Sequence, residues 1–316
     1  MKIPLLKTEH FLKDTDLCKE EILSLFEFTA KLKQAQKLGR RHEFLKKMTL
    51  AMIFEKNSTR TRVSFQSGMY QLGGQAIFLN KNDIQLGRGE PVKDTARVLS
   101  RYIDGIMIRT FGHDRIEELA KYSSVPVING LTDDYHPCQA LADYFTMFER
   151  DKKLSGKKLV YIGDGNNMAH SLMLCGALLG VNVVIACPSA YQPKAEICAE
   201  ARTIAKQSGS SIDVTESIEN AAENADYLYT DVWASMGQED EAEQRKIIFK
   251  DYCISAKLMQ EKCPEAKVLH CLPAHRGEEI SDEVMESDSS IVFDQAENRL
   301  HIQKAIMCAL MAKKRK

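Results

Sequence analysis

Met48-Thr49-Leu50-Ala51-Met52-Ile53-Phe54 is followed by Glu55-Lys56-Asn57 and then by Ser58-Thr59-Arg60-Thr61-Arg62, which opens an apolar pattern over residues 63–72. The first run has the length and apolarity of a buried strand, and the second reads as the first turn of a helix. Hydroxyls, two guanidiniums and unsatisfied backbone amides thus meet at one strand-to-helix junction, which suits a phosphate dianion. A Ser or Thr N-cap beside solvated arginines is the plain alternative. Cations are disfavoured in a first helical turn, however, and two of them there favour an anionic ligand.

The same alternation continues in both directions. Upstream, Ile22, Leu25, Phe26, Thr29 and Leu32 recur at helical spacing until Gly39. Downstream, residues 75–79, 105–108 and 125–128 are strand-like, separated by helical patterns over 94–102 and 114–122, and residues 137–150 form a helix with Pro137 in its first turn. The polar stretch 150–158 then ends the series. A second one follows, with strands at 159–163, 181–186, 225–230 and 266–270, helices at 172–180 and 194–207, and a terminal helix at 296–311. The reading is α/β, with two parallel-sheet domains: residues 1–150, and residues 151–316 including the C-terminal helix. The stretch 238–246 is highly charged and is expected to be a mobile loop. The basic end 313–316 reads as a solvated helix terminus.

Composition narrows the function. The 316 residues carry 43 Lys+Arg against 44 Asp+Glu, a formal charge of −1, so nothing electrostatic favours a nucleic-acid partner. At 44% hydrophobic and 28% charged the chain supports a substantial core and is not of the disordered class. Residues 172–187 are the least polar stretch, interrupted by Gly176, Gly180 and Asn182, and fall short of the ~20 apolar residues of a membrane span. Residues 1–12 have no hydrophobic signal region, so a cytoplasmic location is expected. Nine scattered cysteines without a Cys-x-x-Cys pair argue against a disulfide framework and a structural zinc site.

Ligands of parallel α/β domains bind beyond the carboxyl ends of the strands, which directs attention to the residues placed there. Arg109 follows the strand 105–108. His136-Pro137-Cys138-Gln139 follows the strand 125–128 and its loop. His136 with Cys138 makes a poor metal site, since two ligands stand without a further pair nearby. Arg60, Arg109, His136 and Gln139 together would give a pocket with phosphate-binding and carbonyl- or amide-binding groups. In the second domain, Asp231 follows the strand 225–230, where its carboxylate could receive an ammonium group. His270-Cys271-Leu272-Pro273 closes the strand 266–270. Cys271 is either an ordinary core thiol or one made reactive by its basic neighbours, and spacing leaves both open. Gly163-Asp164-Gly165-Asn166-Asn167-Met168 begins like a dinucleotide fingerprint, but Met168 replaces the third glycine and no acid ends the next strand. A nicotinamide dehydrogenase is therefore the weaker alternative, and a non-catalytic amino-acid sensor on the same fold is another.

Ser58 to Arg62, His136 to Gln139, Asp231 with Ser235-Met236-Gly237, and His270 to Pro273 together resemble the ornithine branch of the aspartate/ornithine carbamoyltransferase superfamily. The resemblance spans nearly the whole chain and extends to Gln85, Asn167 and Arg299. It implies two domains with the active site in the cleft between them, the C-terminal helix packing back toward the N-terminal domain, and transfer of a carbamoyl group from carbamoyl phosphate to ornithine with no metal or organic cofactor. By that resemblance Ser58, Thr59, Arg60, Thr61, Gln85, Arg109, His136, Gln139, Cys271, Leu272 and Arg299 hold carbamoyl phosphate. Asn167, Asp231, Ser235 and Met236 hold ornithine, and Arg60, Arg109, His136, Gln139, Asp231 and Cys271 are the catalytic set. A homotrimer or multiple of trimers, with Gln85 reaching a neighbour's site, is implied too. Putrescine carbamoyltransferase is the nearest competing activity.

Overall fold

A computed structural model describes residues 1–234 and 239–312. The chain forms two compact units. The first comprises residues 1–145 and the chain from Asn298 onward, and the second is Thr146–Glu297. This division differs from a cut at 150/151. Helix α5 (Pro137–Asp151) runs through the boundary, and α12 (Val292–Met311) contributes its residues from Asn298 onward to the first unit.

In the first unit, α1 (Lys19–Lys37) precedes β1 (Thr49–Phe54), α2 (Thr59–Gln71), β2 (Gln75–Asn80), α3 (Val92–Leu99), β3 (Gly105–Arg109), α4 (His113–Tyr122), β4 (Val127–Leu131) and α5. The four strands pair in parallel in the order β2-β1-β3-β4. Central β1 and β3 are buried almost throughout, as expected where helices cover both faces, while edge strand β2 alternates between part-buried and exposed positions. β4 starts and ends later than the apolar run suggests. Pro126 cannot donate to the ladder, and the strand continues through Gly130, which sits opposite the Ile108–Arg109 step where the register shifts. A Cβ at Gly130 would stand 2.5 Å from Met107 Sδ and 3.0 Å from the Ile108 carbonyl oxygen, so a larger residue in that bulge would force its neighbours to shift. The terminal helix packs tightly on this unit: a Cβ at Gly68 would meet Met307 at 3.0 Å, and Lys33 Nζ donates to Asn298 Oδ1 at 2.7 Å.

The second unit contains β5 (Lys158–Ile162), α6 (Asn167–Leu179), β6 (Asn182–Ala186), α7 (Ala195–Ser208), β7 (Ile212–Thr215), α8 (Ile218–Ala222), β8 (Tyr227–Thr230), α9 (Ala242–Ile248), α10 (Ala256–Lys262), β9 (Lys267–His270), α11 (Asp282–Met285) and the start of α12. Its parallel order is β7-β6-β5-β8-β9. Strand β7 and the short helices α8 to α11 carry too little periodicity to be read in sequence. The charged stretch expected to be a loop is helical from Ala242, because Arg245 is buried and bonded on three sides. No described helix is long and apolar enough to cross a membrane.

The strand orders point to candidate ligand positions. In each sheet the direction of winding reverses once, between β1 and β3 and between β5 and β8. The crevice at such a reversal is where open parallel sheets bind ligands. Ser58 and Arg109 flank the first reversal, and the Gly163 to Asn167 segment and Asp231 flank the second.

Candidate active site

The first unit gathers its cations around one imidazole. Ser58 caps α2, its hydroxyl accepting from Thr61 N–H at 3.3 Å, so Thr59, Arg60 and Thr61 form the first turn with their amides directed past the end of β1. Arg109 is the last residue of β3 rather than the residue after it, and it is buried beside the β4 bulge. Arg299, in α12, is also buried and donates from Nη2 to Thr61 Oγ1 at 2.8 Å. His136 immediately precedes α5 and is 5% exposed. Burial first, then the positive charges of Arg299, Arg109 and Arg60, push it well below the ordinary histidine range, so it is a neutral imidazole. Four residues from four places in the sequence are therefore electrostatic neighbours.

One turn into α5, Gln139 is 1% exposed and donates from Nε2 to Asp143 Oδ1 at 2.7 Å. Its Oε1 is buried and accepts no hydrogen bond among the described residues. An acceptor left so costs roughly 1–3 kcal/mol unless a ligand N–H meets it. Cys138 faces the other way: its thiol donates to the Asn129 carbonyl, and burial pushes its pKa up to about 12, so it is a core thiol. Gln85 sits in a short 3-10 turn (Gln85–Arg88), exposed, over the buried Leu86.

The second unit assembles an acid, a thiol and an amide. Asp231 follows β8 and Cys271 follows its neighbour β9, and the Cys271 thiol donates to Asp231 Oδ1 at 2.8 Å. Asn166 is the N-cap of α6, accepting from the Met168 and Ala169 amides, and its Nδ2 lies 3.5 Å from Asp231 Oδ2. Asn167 is the first residue of that helix. Asp164 and the Trp233 carbonyl are both bonded by Arg245 Nη1, at 2.8 and 2.9 Å. Burial raises the Asp164 pKa, with Arg245 opposing it. Sequence reading missed Arg245 and Asn166, since a charged helix and an N-cap look alike wherever they occur. Ser235 and Met236 lie outside the described residues.

The loop after β9 is held under strain. Leu272 has φ of 57°, the left-handed region, which costs a non-glycine residue roughly 1–3 kcal/mol. Asp231, His270 and Cys271 each bring one potential ligand atom within 4.8 Å of the others. His270 offers no free lone pair there: Nδ1 accepts from Leu272 N–H at 2.8 Å and Nε2 is bonded to Glu279 Oε1 at 2.9 Å. His275, Glu278 and Glu279 form a second such group. The dinucleotide-like glycines serve packing: a Cβ at Gly165 would lie 2.3 Å from Pro193 N, so backbone already occupies the approach a pyrophosphate would need.

Comparison with known proteins matches this arrangement end to end. Residues 9–149 match the aspartate/ornithine carbamoyltransferase carbamoyl-P binding domain, and residues 155–310 match the Asp/Orn binding domain. The chain belongs to the aspartate/ornithine carbamoyltransferase family. It is a carbamoyltransferase with the two parallel-sheet α/β domains that the motifs implied. Among this family, ornithine carbamoyltransferase of Thermococcus kodakarensis is 53% identical over 296 residues, 94% of each chain. That of Oceanobacillus iheyensis is 55% identical over 307 residues, covering 97% of this chain and 95% of the relative. The solved ornithine carbamoyltransferase of Pyrococcus furiosus superposes with a TM-score of 0.94 at 50% identity, over 99% of both chains.

Proposed function

We propose that this carbamoyltransferase moves the carbamoyl group of carbamoyl phosphate to the side-chain amine of L-ornithine, giving L-citrulline and phosphate. The observation that carries the reading is the convergence of Arg60, Arg109 and Arg299 on a neutral His136, beside a buried Gln139 oxygen that accepts nothing among the described residues. Phosphate would take the α2 amides with Ser58, Thr59, Arg60, Thr61 and Arg109. Arg60, Thr61 and His136 would donate to the carbamoyl oxygen as it gains negative charge, and Gln139 Oε1 with the Cys271 and Leu272 carbonyls would accept from the carbamoyl nitrogen. Arg299 then acts at the same site through its bond to Thr61.

The neutral amine attacks the carbamoyl carbon and forms the new C–N bond. The C–O bond to phosphate breaks, and phosphate leaves with that electron pair. The nitrogen loses one proton, either to the departing phosphate or through Cys271 toward Asp231, whose Oδ1 already accepts from the Cys271 thiol. No covalent intermediate on Cys271 is needed. Asp231 and Asn167, with Ser235 and Met236, would hold the amino-acid end of ornithine.

A homotrimer, or a multiple of trimers, fits the exposed apolar residues of the first unit. Val63 and Tyr70 lie two turns apart on one face of α2, 56% and 82% exposed, and Ile77 is exposed on the edge strand β2. Gln85 is presented close in sequence to that edge. We place the protein in the cytoplasm, acting on small molecules rather than nucleic acid or membrane. Assaying phosphate release and the carbamoylated product from carbamoyl phosphate with ornithine, putrescine, aspartate and N-acetylornithine in parallel tests the reading. Citrulline from ornithine alone supports it, turnover of putrescine moves the chain to the competing activity, and no product with any amine leaves a binding protein.

A further inference from the structure

Glu279 is fully buried and takes part in neither sheet nor helix. Its main chain is fixed from outside the loop, with its carbonyl accepting from Ile254 N–H at 2.9 Å, and the turn from Arg276 to Ile280 folds it back toward β9. Its Oε1 is bonded by two groups, the His270 ring Nε2 at 2.9 Å and the His275 backbone N–H at 2.6 Å. These are the two ends of the loop that carries Cys271 and Leu272. One carboxylate oxygen therefore closes that loop.

The hydrogen-bond pattern also assigns the His270 proton. A backbone N–H can only donate, so Nδ1, which meets Leu272 N–H at 2.8 Å, must be the acceptor. The ring proton is then on Nε2, where Glu279 receives it. Leu272 N–H shares a rigid peptide plane with the Cys271 carbonyl, and the two point in opposite directions. Holding the N–H against His270 aims the Cys271 carbonyl away from it.

We infer that Glu279 is a positioning residue for carbamoyl transfer, acting through His270 on the Cys271–Leu272 peptide and closing the loop at His275. The inference rests on the proposed carbamoyl-transfer reading, in which that peptide contacts the carbamoyl nitrogen. Glu279 is fully buried and acts through His270 rather than on substrate. Its part is to keep one tautomer of His270 and one orientation of the peptide, at a residue whose left-handed backbone would otherwise relax.

The test compares Glu279→Gln, Glu279→Ala, His270→Asn and His270→Ala in the full-length enzyme, reading kcat, both KM values, thermal unfolding, and the rate of Cys271 alkylation by iodoacetamide resolved by peptide mass spectrometry. The amide oxygen of Glu279→Gln can still accept both N–H groups, so its kcat should stay within about threefold of the parent. Glu279→Ala should lose about 10²-fold in kcat while KM for carbamoyl phosphate moves little, because misplacing a group by an ångström costs that much. Its Cys271 should alkylate faster as the loop opens. The Asn Oδ1 can stand close to the position of Nδ1 and accept from Leu272 N–H, so His270→Asn should exceed His270→Ala in kcat by about tenfold. Parent-like kcat and alkylation in Glu279→Ala, or equal losses in Glu279→Gln and Glu279→Ala, overturn the inference. If Glu279→Ala fails to fold, the His270 pair decides it. If the parent makes no citrulline the functional reading falls, and Cys271 alkylation still tests the loop closure by itself.

Discussion

Cys271 Sγ lies 2.8 Å from Asp231 Oδ1, a thiol-to-carboxylate bond between residues forty positions apart that follow the adjacent strands β9 and β8. This bond favours the reactive reading of Cys271 over plain core packing, since the thiol is bonded to a strand-end acid and only partly buried. Cys271→Ser should keep the fold, lower the maximal rate and shift the alkaline limb of the pH–rate profile. Circular dichroism with a pH series of kcat checks this. An unchanged rate and profile returns Cys271 to a packing role.

In the proposed donor site, Arg60 and Arg109 meet charge that develops during the reaction. Arg60→Ala or Arg109→Ala should each cost at least ~3 kcal/mol in transition-state stabilisation, more than a hundredfold in kcat/KM. Steady-state kinetics with saturating ornithine measures it. Near-normal turnover in both variants removes the assignment.

Acceptor choice should follow the amino-acid end of the substrate. Asp231 with the residues around it can address an α-amino and α-carboxylate pair that putrescine lacks, so ornithine should lead by ~10³ or more in kcat/KM, as buried polar groups left unpaired reject an analogue strongly. Competition between the two amines at limiting carbamoyl phosphate gives the ratio directly.

His136 ties stability to pH. Its native pKa is depressed below the ordinary 6.5, so below that pH the unfolded chain takes up a proton that the native chain refuses. Stability from this group is fully present above pH 6.5 and is lost as pH falls toward the depressed native value, by about 1.4 kcal/mol per pH unit. His136→Gln should therefore show a shallower loss between pH 7 and 5.5 in urea unfolding, by about 1 kcal/mol relative to the parent. Parallel curves would contradict the neutral, buried imidazole.

The proposed trimer, with Gln85 reaching a neighbour's site, predicts complementation. Inactive Gln85→Ala chains mixed with inactive Arg60→Ala chains under subunit exchange should regain part of the activity, because some sites then receive both residues intact. Sites built from one chain would regain none.

The sequence by itself determined the fold class and pointed to the residues proposed for the site. Buried parallel strands read as unbroken apolar runs, so β1, β3, β5 and β6 were legible to within a residue or two, and with them the positions at the strand ends to which the proposed site is assigned. Edge strand β7 and the four-to-seven-residue helices were not legible, because segments that short lack a full period. The division of the chain was only partly legible: a polar stretch marks the end of a helix, not which unit that helix packs on, and residues beyond Asn298 belong with the first unit through contacts such as Lys33 with Asn298. Tertiary structure alone decided that the Cys138 thiol is buried on a backbone carbonyl while Cys271 bonds an acid, that Arg245 is buried in a stretch reading as solvated, and that Glu279 closes the loop of Cys271. Each depends on a partner at least four residues away whose direction is set by packing, and periodicity records which residues are apolar, not which polar atoms meet.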